Sequence, residues 1–219
     1  MASTLKEIAY SVLESIRNFH IVDDNDISID WIVKKINDIN VKLVEADYKS
    51  GKNLEGYMQK QCCIEIICEK QYCTIDGVLV ESGDVLWYSD VPTLNNKIGN
   101  GNIAYLGLSD MKTAFRRTSM TGSTVSGKLE YGNNKTIYNV IGNKIFYNNL
   151  PTTGSKYVCM VGILEDPTTA CNWDDDDPYP TPDTYKLELL VKQDIMSSFN
   201  IPKDVINDAQ DSLGTQPIK

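Results

Sequence analysis

The spacing of hydrophobic residues changes twice along this chain, and that change restricts the folds it can adopt. Over the first fifty positions apolar side chains recur every three or four residues, which is typical of amphipathic helices. Between residues 57 and 165 they occur in short runs rich in β-branched and aromatic residues, and from Thr184 the helical spacing returns. This order predicts an α+β fold, in which an N-terminal helical hairpin and a C-terminal helix pack beside a central antiparallel, sandwich-like β domain.

The N-terminal region, residues 1–50, carries the start signals of two helices. Thr4 and Glu7 form the T-x-x-E pattern of a capping box, and Ser28 can cap a second helix after the acidic link VDDND. Each helix has an apolar stripe that needs cover, so we expect both to pack against the C-terminal helix. The two stripes are Leu5, Ile8, Ala9, Val12, Leu13, Ile16 and Phe19, then Ile29, Ile32, Val33, Ile36, Ile39 and Leu43.

The β domain is predicted over residues 57–171. Asp76-Gly77 and Gly142-Asn143 are typical of tight hairpin turns, and Ser82-Gly83 indicates a further turn between the runs GVLVES and GDVLWY. Short strands at regular spacing favour an antiparallel sandwich over a doubly wound α/β domain.

An acidic, proline-rich linker follows at residues 172–183, before the C-terminal helices at 184–219. Pro178, Pro180 and Pro182 exclude regular helix from the linker. A helix then begins, capped by Asp183 or Thr184, and a shorter one is predicted from Pro202 to Gly214. The apolar set of the first of these helices is Tyr185, Leu187, Leu189, Leu190, Ile195 and Met196.

Four of the six cysteines crowd into the run CCIEIICEKQYC, at residues 62, 63, 68 and 73. Zinc sites need two pairs of ligands at short, matched spacings, which this run does not provide. If residues 62–68 form one strand, Cys62, Ile64, Ile66 and Cys68 share a face and the thiols behave as small apolar residues. We therefore expect free, buried thiols and no disulfides, as in a reducing compartment.

The chain offers little for catalysis. His20, its single histidine, falls at the predicted end of the first helix, where it would cap the helix and interact with its dipole. Gly99, Gly101 and Ala104 match G-x-G-x-x-A, but a strand-like run follows where a dinucleotide site needs a helix. The sequence thus predicts no catalytic residues, no cofactor and no metal ligands.

Four consecutive aspartates, Asp174, Asp175, Asp176 and Asp177, are the most unusual local feature. An EF-hand loop needs a central glycine and an acidic residue at position 12, where this chain has Tyr185. A looser calcium site is an alternative to a solvated acidic spacer held extended by the prolines. We expect the spacer, and we expect these four residues to serve as an interaction surface.

The formal net charge of −9 argues against a protein that grips nucleic acid by neutralising phosphates. No segment has the length and apolarity of a membrane span, and the N-terminal sequence MASTLKEIAY lacks the features of a secretory signal. We therefore expect assembly in a cytoplasm and no contact with membrane.

Three stretches carry a resemblance to a known family: NIAYLGLSDMKTAFRRTS, KYVCMVGILEDPTTAC and YKLELLVKQDIMSSFNIPKDVINDAQD. Across most of residues 60–211 the chain resembles virion structural proteins of crAss-like podophages. The resemblance implies a head–tail connector (adaptor) protein that forms a cyclic, twelve-fold ring below the portal. Its partners would be the portal protein and other connector or tail proteins, and genomic DNA would pass through its channel. It would assemble in the bacterial host cytoplasm and reside at the head–tail junction of the virion.

Two other functions remain open on the sequence. One is a different virion component, either a tail-barrel or a cargo protein. The other is an enzyme or small-ligand module on the β domain with Asp174–Asp177 at its rim. A ligand site would need titratable groups that converge in a deep pocket, whereas a ring protein would self-associate into a symmetric particle.

Overall fold

The computed structural model of this protein describes residues 3–17, 27–75, 78–119, 135–150 and 156–198. In this part of the chain the helices are α1 (Leu5–Arg17), α2 (Ile29–Lys49) and α3 (Thr184–Ser198). The strands are β1 (Gln59–Glu65), β2 (Ile67–Ile75), β3 (Val78–Asp90), β4 (Ile103–Gly107), β5 (Arg116–Arg117), β6 (Ile137–Ile141), β7 (Lys144–Asn148) and β8 (Tyr157–Gly162). The architecture is the predicted α+β arrangement.

The helices start where their capping signals lie. The Thr4 N–H donates to the Glu7 carboxylate over 2.9 Å, and the Glu7 N–H donates to the Thr4 hydroxyl over 3.2 Å, which completes a capping box. Ser28 accepts from the Trp31 N–H over 3.2 Å, and Asp183 accepts from the Lys186 N–H over 3.0 Å. The capping predictions for all three helices are confirmed.

The three helices enclose one hydrophobic core, so the predicted packing of the two chain ends is confirmed. Ile8, Ile36 and Leu187 represent the three helices in this core, and each is fully buried. One part of the predicted apolar set is wrong, because Tyr185 and Leu189 are 76% and 41% exposed. The buried stripe of α3 instead follows strict i, i+4, i+8 spacing, and it consists of Leu187, Val191 and Ile195.

The strands form two sheets, in the orders β1-β8-β4 and β2-β3-β7-β6-β5. Ile64 of β1 and Met160 of β8 lie in one core cluster with Tyr138 of β6 and Ile145 of β7, so the sheets face each other as in a sandwich. All strand pairs are antiparallel except β5 with β6, which is parallel. The domain is therefore mixed at that one edge.

The chain passes from one sheet to the other at Ile66. The run CCIEIICE, predicted as a single strand, is divided there between β1 and β2, and the Ile66 N–H donates to the Lys156 carbonyl over 2.9 Å. This prediction was wrong because the change of sheet leaves no mark in the sequence. The run of β-forming residues continues without a break through Ile66, and only the hydrogen-bond partners differ on its two sides.

The turn predicted at Ser82-Gly83 is also absent, since β3 runs through these residues. Lys70 pairs with Val85 and Tyr72 with Glu81, so residues 82–84 stand opposite Gln71 alone as a bulge. The turn predicted at Gly142-Asn143 is confirmed, since Gly142 has a φ of 59° between β6 and β7. Asp76-Gly77 lies outside the described residues, between Ile75 of β2 and its partner Val78 of β3.

Candidate assembly surfaces

The four aspartates form a solvent-exposed turn at the junction of the β domain and α3. The Asp177 N–H donates to the Asp174 carbonyl over 3.0 Å, and the Asp176 N–H donates to the Asp174 carboxylate over 3.1 Å. The expected extended conformation is therefore wrong for these residues, because the Asp174 side chain hydrogen-bonds the backbone two residues on and folds the run into a turn. We call residues 174–177 the acidic turn.

One carboxylate of the acidic turn is held against α1. The Lys6 ammonium lies 2.7 Å from the Asp175 carboxylate, which also accepts from the Trp173 indole N–H over 3.2 Å. The hydrogen bond from Lys6, followed by that from Trp173, lowers the pKa of Asp175. Both charged side chains are about 60% exposed, so the pair contributes little stability and leaves the negative potential of the turn facing solvent.

The proline segment after the acidic turn is anchored to the helices. Tyr179 is 3% exposed and lies in the helical core, its hydroxyl donates to the Asn37 side-chain oxygen over 2.8 Å, and its N–H donates to the Ser3 carbonyl over 2.9 Å. Burial raises the pKa of this phenol. The expectation of a solvated spacer thus holds for the acidic turn and fails at Tyr179. The sequence signal that could have indicated this anchor is an aromatic residue directly flanked by two prolines, Pro178 and Pro180, and it was missed.

A second buried phenol joins α2 to the start of the β domain. The Tyr57 hydroxyl donates to Asp47 over 2.7 Å, and the Lys52 ammonium lies 2.8 Å from the other carboxylate oxygen. The hydrogen bond from Lys52, against the opposing effect of burial, lowers the pKa of Asp47, while burial raises the pKa of Tyr57. Tyr57 and Lys52 thus supply a partner for each oxygen of the buried Asp47 carboxylate. We interpret this cluster as a structural contact between α2 and the β domain.

Four cysteines are cross-linked, which corrects the prediction of free thiols. Cys62 is bonded to Cys159 and Cys63 to Cys171, while Cys68 is free and exposed instead of buried. The reason lies in the register of β1 against β8. Gln61 pairs with Met160 and Ile64 with Val158, so Cys62 and Cys63 both stand opposite Cys159. Such a bulge interrupts the alternation of side chains and directs the neighbouring sulfurs to different partners.

A groove lies between the second halves of α2 and α3, and we call it the α2/α3 groove. It has a volume of about 490 Å³. Ile39, Leu43 and Leu190 supply its apolar surface, Lys42 stands at its edge, and Ser197 lies at the end where α3 terminates. This groove could not be predicted from the sequence, because its lining residues on α2 and those on α3 are more than 140 positions apart in the chain.

A larger, charged concavity of about 700 Å³ adjoins the groove at Lys42. Three lysines line it, at positions 34, 42 and 97, together with five acidic residues, at positions 30, 38, 45, 165 and 166. Side chains of both signs can attract a protein partner and fix its orientation.

The residues considered for catalysis are not brought together. His20 lies outside the described residues, and Gly99 and Gly101 belong to a 3₁₀ segment, Asn96–Asn102, followed by strand β4 instead of a helix. Within the described ranges no group of three or more histidine, cysteine, aspartate or glutamate side chains could hold a metal ion. None of the helices in these ranges is long and apolar enough to cross a bilayer.

Comparison with known families shows what kind of protein carries these features. Residues 7–213 match the profile of the family described as phage tail ring protein 2, of crAss-like phages. The chain belongs to this family. The match confirms the resemblance to crAss-like phage proteins, and it begins in α1 and extends beyond α3. No curated protein matches the chain.

Membership of the phage tail ring protein 2 family indicates what the exposed surfaces of this chain could bind. A tail ring protein is a structural component of a virion, and its ring is built from contacts between subunits and with neighbouring tail proteins. The acidic turn, the α2/α3 groove and the charged concavity are accordingly candidate assembly surfaces of this ring protein.

Proposed function

We propose that this protein is a head–tail connector ring: an adaptor below the portal whose cyclic subunits form part of the wall of the DNA channel. The family match supports a virion ring, and the connector position is the finer step that we add. The ring would be twelve-fold and would contact the portal on one face and another connector or tail protein on the other.

The observation that carries this proposal is the acidity of a ring-family protein. The formal net charge is −9, and all four carboxylates of the acidic turn lie on exposed residues. A wall rich in lysine and arginine would bind phosphates and retain DNA, whereas a negative wall repels the duplex and lets it pass. A connector through which the genome leaves the head requires the second property.

The acidic turn is proposed to lie at a subunit boundary or to face a neighbouring ring. It follows the cross-linked Cys171 and precedes the anchored Tyr179, so an exposed and negatively charged element is held between two fixed points. A basic surface of a neighbouring protein would meet it with favourable electrostatics that salt screens.

Electron microscopy tests the position of the ring. The purified full chain should form closed rings, and an antibody against an added epitope tag should label virions at the head–tail junction. Label inside the capsid would indicate a cargo protein, and label along the tail would indicate a barrel component. Either pattern would contradict the connector position even if rings form.

A further inference from the structure

Strands β2 and β3 extend beyond the rest of the five-stranded sheet as a ribbon of two strands. β7 pairs with β3 only over Trp87–Asp90, whereas β2 pairs with β3 as far as the outer end of both strands. Among the described strands, residues 69–75 and 78–86 therefore pair only with each other, and we call them the β-arm. At about 3.3 Å per residue the β-arm is roughly 26 Å long. Two strands alone are marginally stable in water, so such a ribbon needs a further surface to pack against.

One face of the β-arm continues the face of the sheet that packs in the β sandwich. Trp87 packs against the β core, and Val85 lies two residues before it, on the same face of β3. Lys70 is the partner of Val85, and its ammonium lies 2.9 Å from the Glu81 carboxylate. This ion pair places Glu81 on the same face, together with its own partner Tyr72. Tyr72 is 59% and Val85 48% exposed, so the inner face of the sheet continues into solvent along the β-arm.

A second exposed apolar patch lies on α3. Tyr185 and Leu189 are spaced i, i+4, so they share one face of the helix, and they are 76% and 41% exposed. Neither residue belongs to a core cluster of the subunit, and we call the two the α3 patch. The charged residues of α3 are two lysines and two acids, which sum to zero: Lys186, Lys192, Glu188 and Asp194.

The two patches match in spacing and in charge. Tyr185 and Leu189 are separated by about 6 Å along the helix axis, at 1.5 Å per residue. Tyr72 lies two residues beyond the partner of Val85, which separates these two side chains by about 7 Å along the β-arm. The ion pair on the β-arm and the balanced charges of α3 mean that contact between two copies would not bring together the excess negative charge of this acidic chain.

A closed ring needs two different surfaces on each subunit, because head-to-tail contacts join one patch to a distinct, complementary patch. We propose that the β-arm of one subunit packs its inner face on the α3 patch of the next subunit. The occupant is a second copy of this chain because the family is one of ring proteins, whose subunits contact one another. This inference rests on the proposed ring and specifies the contact that closes it.

Cross-linking between chains of different size tests the contact. In full-length protein with Cys68 and Cys73 replaced by serine, one chain carries Glu81→Cys on the β-arm and the other carries Lys192→Cys beside the α3 patch. A short bis-maleimide should join the two chains into a mixed dimer. Glu14→Cys, at an exposed position of α1, replaces Lys192→Cys in the control and should give little product.

Three other products of this experiment overturn the proposal. A product formed only within a chain that carries both cysteines would mean that the β-arm folds onto its own α3. A dimer of two Glu81→Cys chains would mean that the arms pair with each other. Equal yields with the control, or no product at all, would mean that the β-arm does not bind the α3 patch.

A charge placed in the α3 patch provides the functional readout. Tyr185→Glu should raise the concentration needed for ring assembly roughly tenfold or more, because the new carboxylate would lose water against the apolar face of the β-arm. Tyr10→Glu makes the same change at a 56% exposed tyrosine of α1, outside both patches, and should assemble normally. Equal effects of the two substitutions would contradict the proposed contact.

Microscopy of the same samples separates this inference from the proposed function. Closed rings without the mixed dimer would overturn the contact between the β-arm and α3 and leave the connector ring intact. A mixed dimer without closed rings would retain the contact and count against the ring.

Discussion

Replacement of Tyr179 tests whether the linker is anchored to the helices. The side chain is 3% exposed in a core shared by α1, α2 and α3, and its hydroxyl donates to Asn37 over 2.8 Å. Tyr179→Phe removes only this hydrogen bond and should lower the free energy of unfolding by about 1 kcal/mol. Tyr179→Ala also removes the ring and leaves a cavity, so the loss should reach about 3–5 kcal/mol, as for other large aromatic residues.

Urea denaturation followed by circular dichroism measures both losses, and the chain contains a matched control. Tyr185 is six residues away and 76% exposed, so Tyr185→Ala should change the free energy of unfolding by no more than about 0.5 kcal/mol. If Tyr179→Ala costs no more than Tyr185→Ala, then the linker is a loose spacer and the anchoring argument is wrong.

Three further predictions concern charge and covalent links. Replacing Asp174–Asp177 together by asparagine should barely change the melting temperature, because the carboxylates are exposed, but it should weaken contact between rings as raised salt does; a wild-type protein destabilised by chelator would instead indicate a calcium site. Since Lys52 lowers the pKa of folded Asp47, this carboxylate stabilises the protein above its unfolded pKa of about 3.9, and the contribution is lost as pH falls through the lower folded pKa. Unfolding free energies of Asp47→Asn should therefore depend less on acidic pH than those of the wild type, and identical profiles would refute this. Reduction of the Cys62–Cys159 and Cys63–Cys171 bonds should cost about 2–5 kcal/mol in a denaturation experiment, whereas Cys68→Ser should cost nothing measurable.

The sequence predicts features of this fold that depend on neighbouring residues. Two examples are the capping box of Thr4 and Glu7 and the hairpin turn at Gly142. Each forms from a few adjacent residues, so it can be predicted without knowledge of the tertiary structure. The class of the fold follows from the order of such elements.

The features that were missed depend on contacts between distant residues. Cys62 and Cys159 are 97 positions apart, and only the bulge in the pairing of β1 with β8 places their sulfurs together. The α2/α3 groove likewise exists only once α3 packs beside α2. The acidic turn is an exception, because the sequence indicated its exposure and its missed conformation rests on local hydrogen bonds to the Asp174 side chain and carbonyl. Only its contact with Lys6 of α1 joins distant residues.

The disulfide between Cys63 and Cys171 determines how this protein would carry a mechanical load. Tension applied between the N-terminal helices and α3 can pass through the sulfur atoms and bypass the strands that lie between these cysteines. The bypassed stretch corresponds to a sequence separation of 108 residues, or about 37 nm of extended chain. The β domain would therefore remain folded while its flanking helices are pulled apart, and a reductant would add that length to the extension seen when a single molecule is stretched.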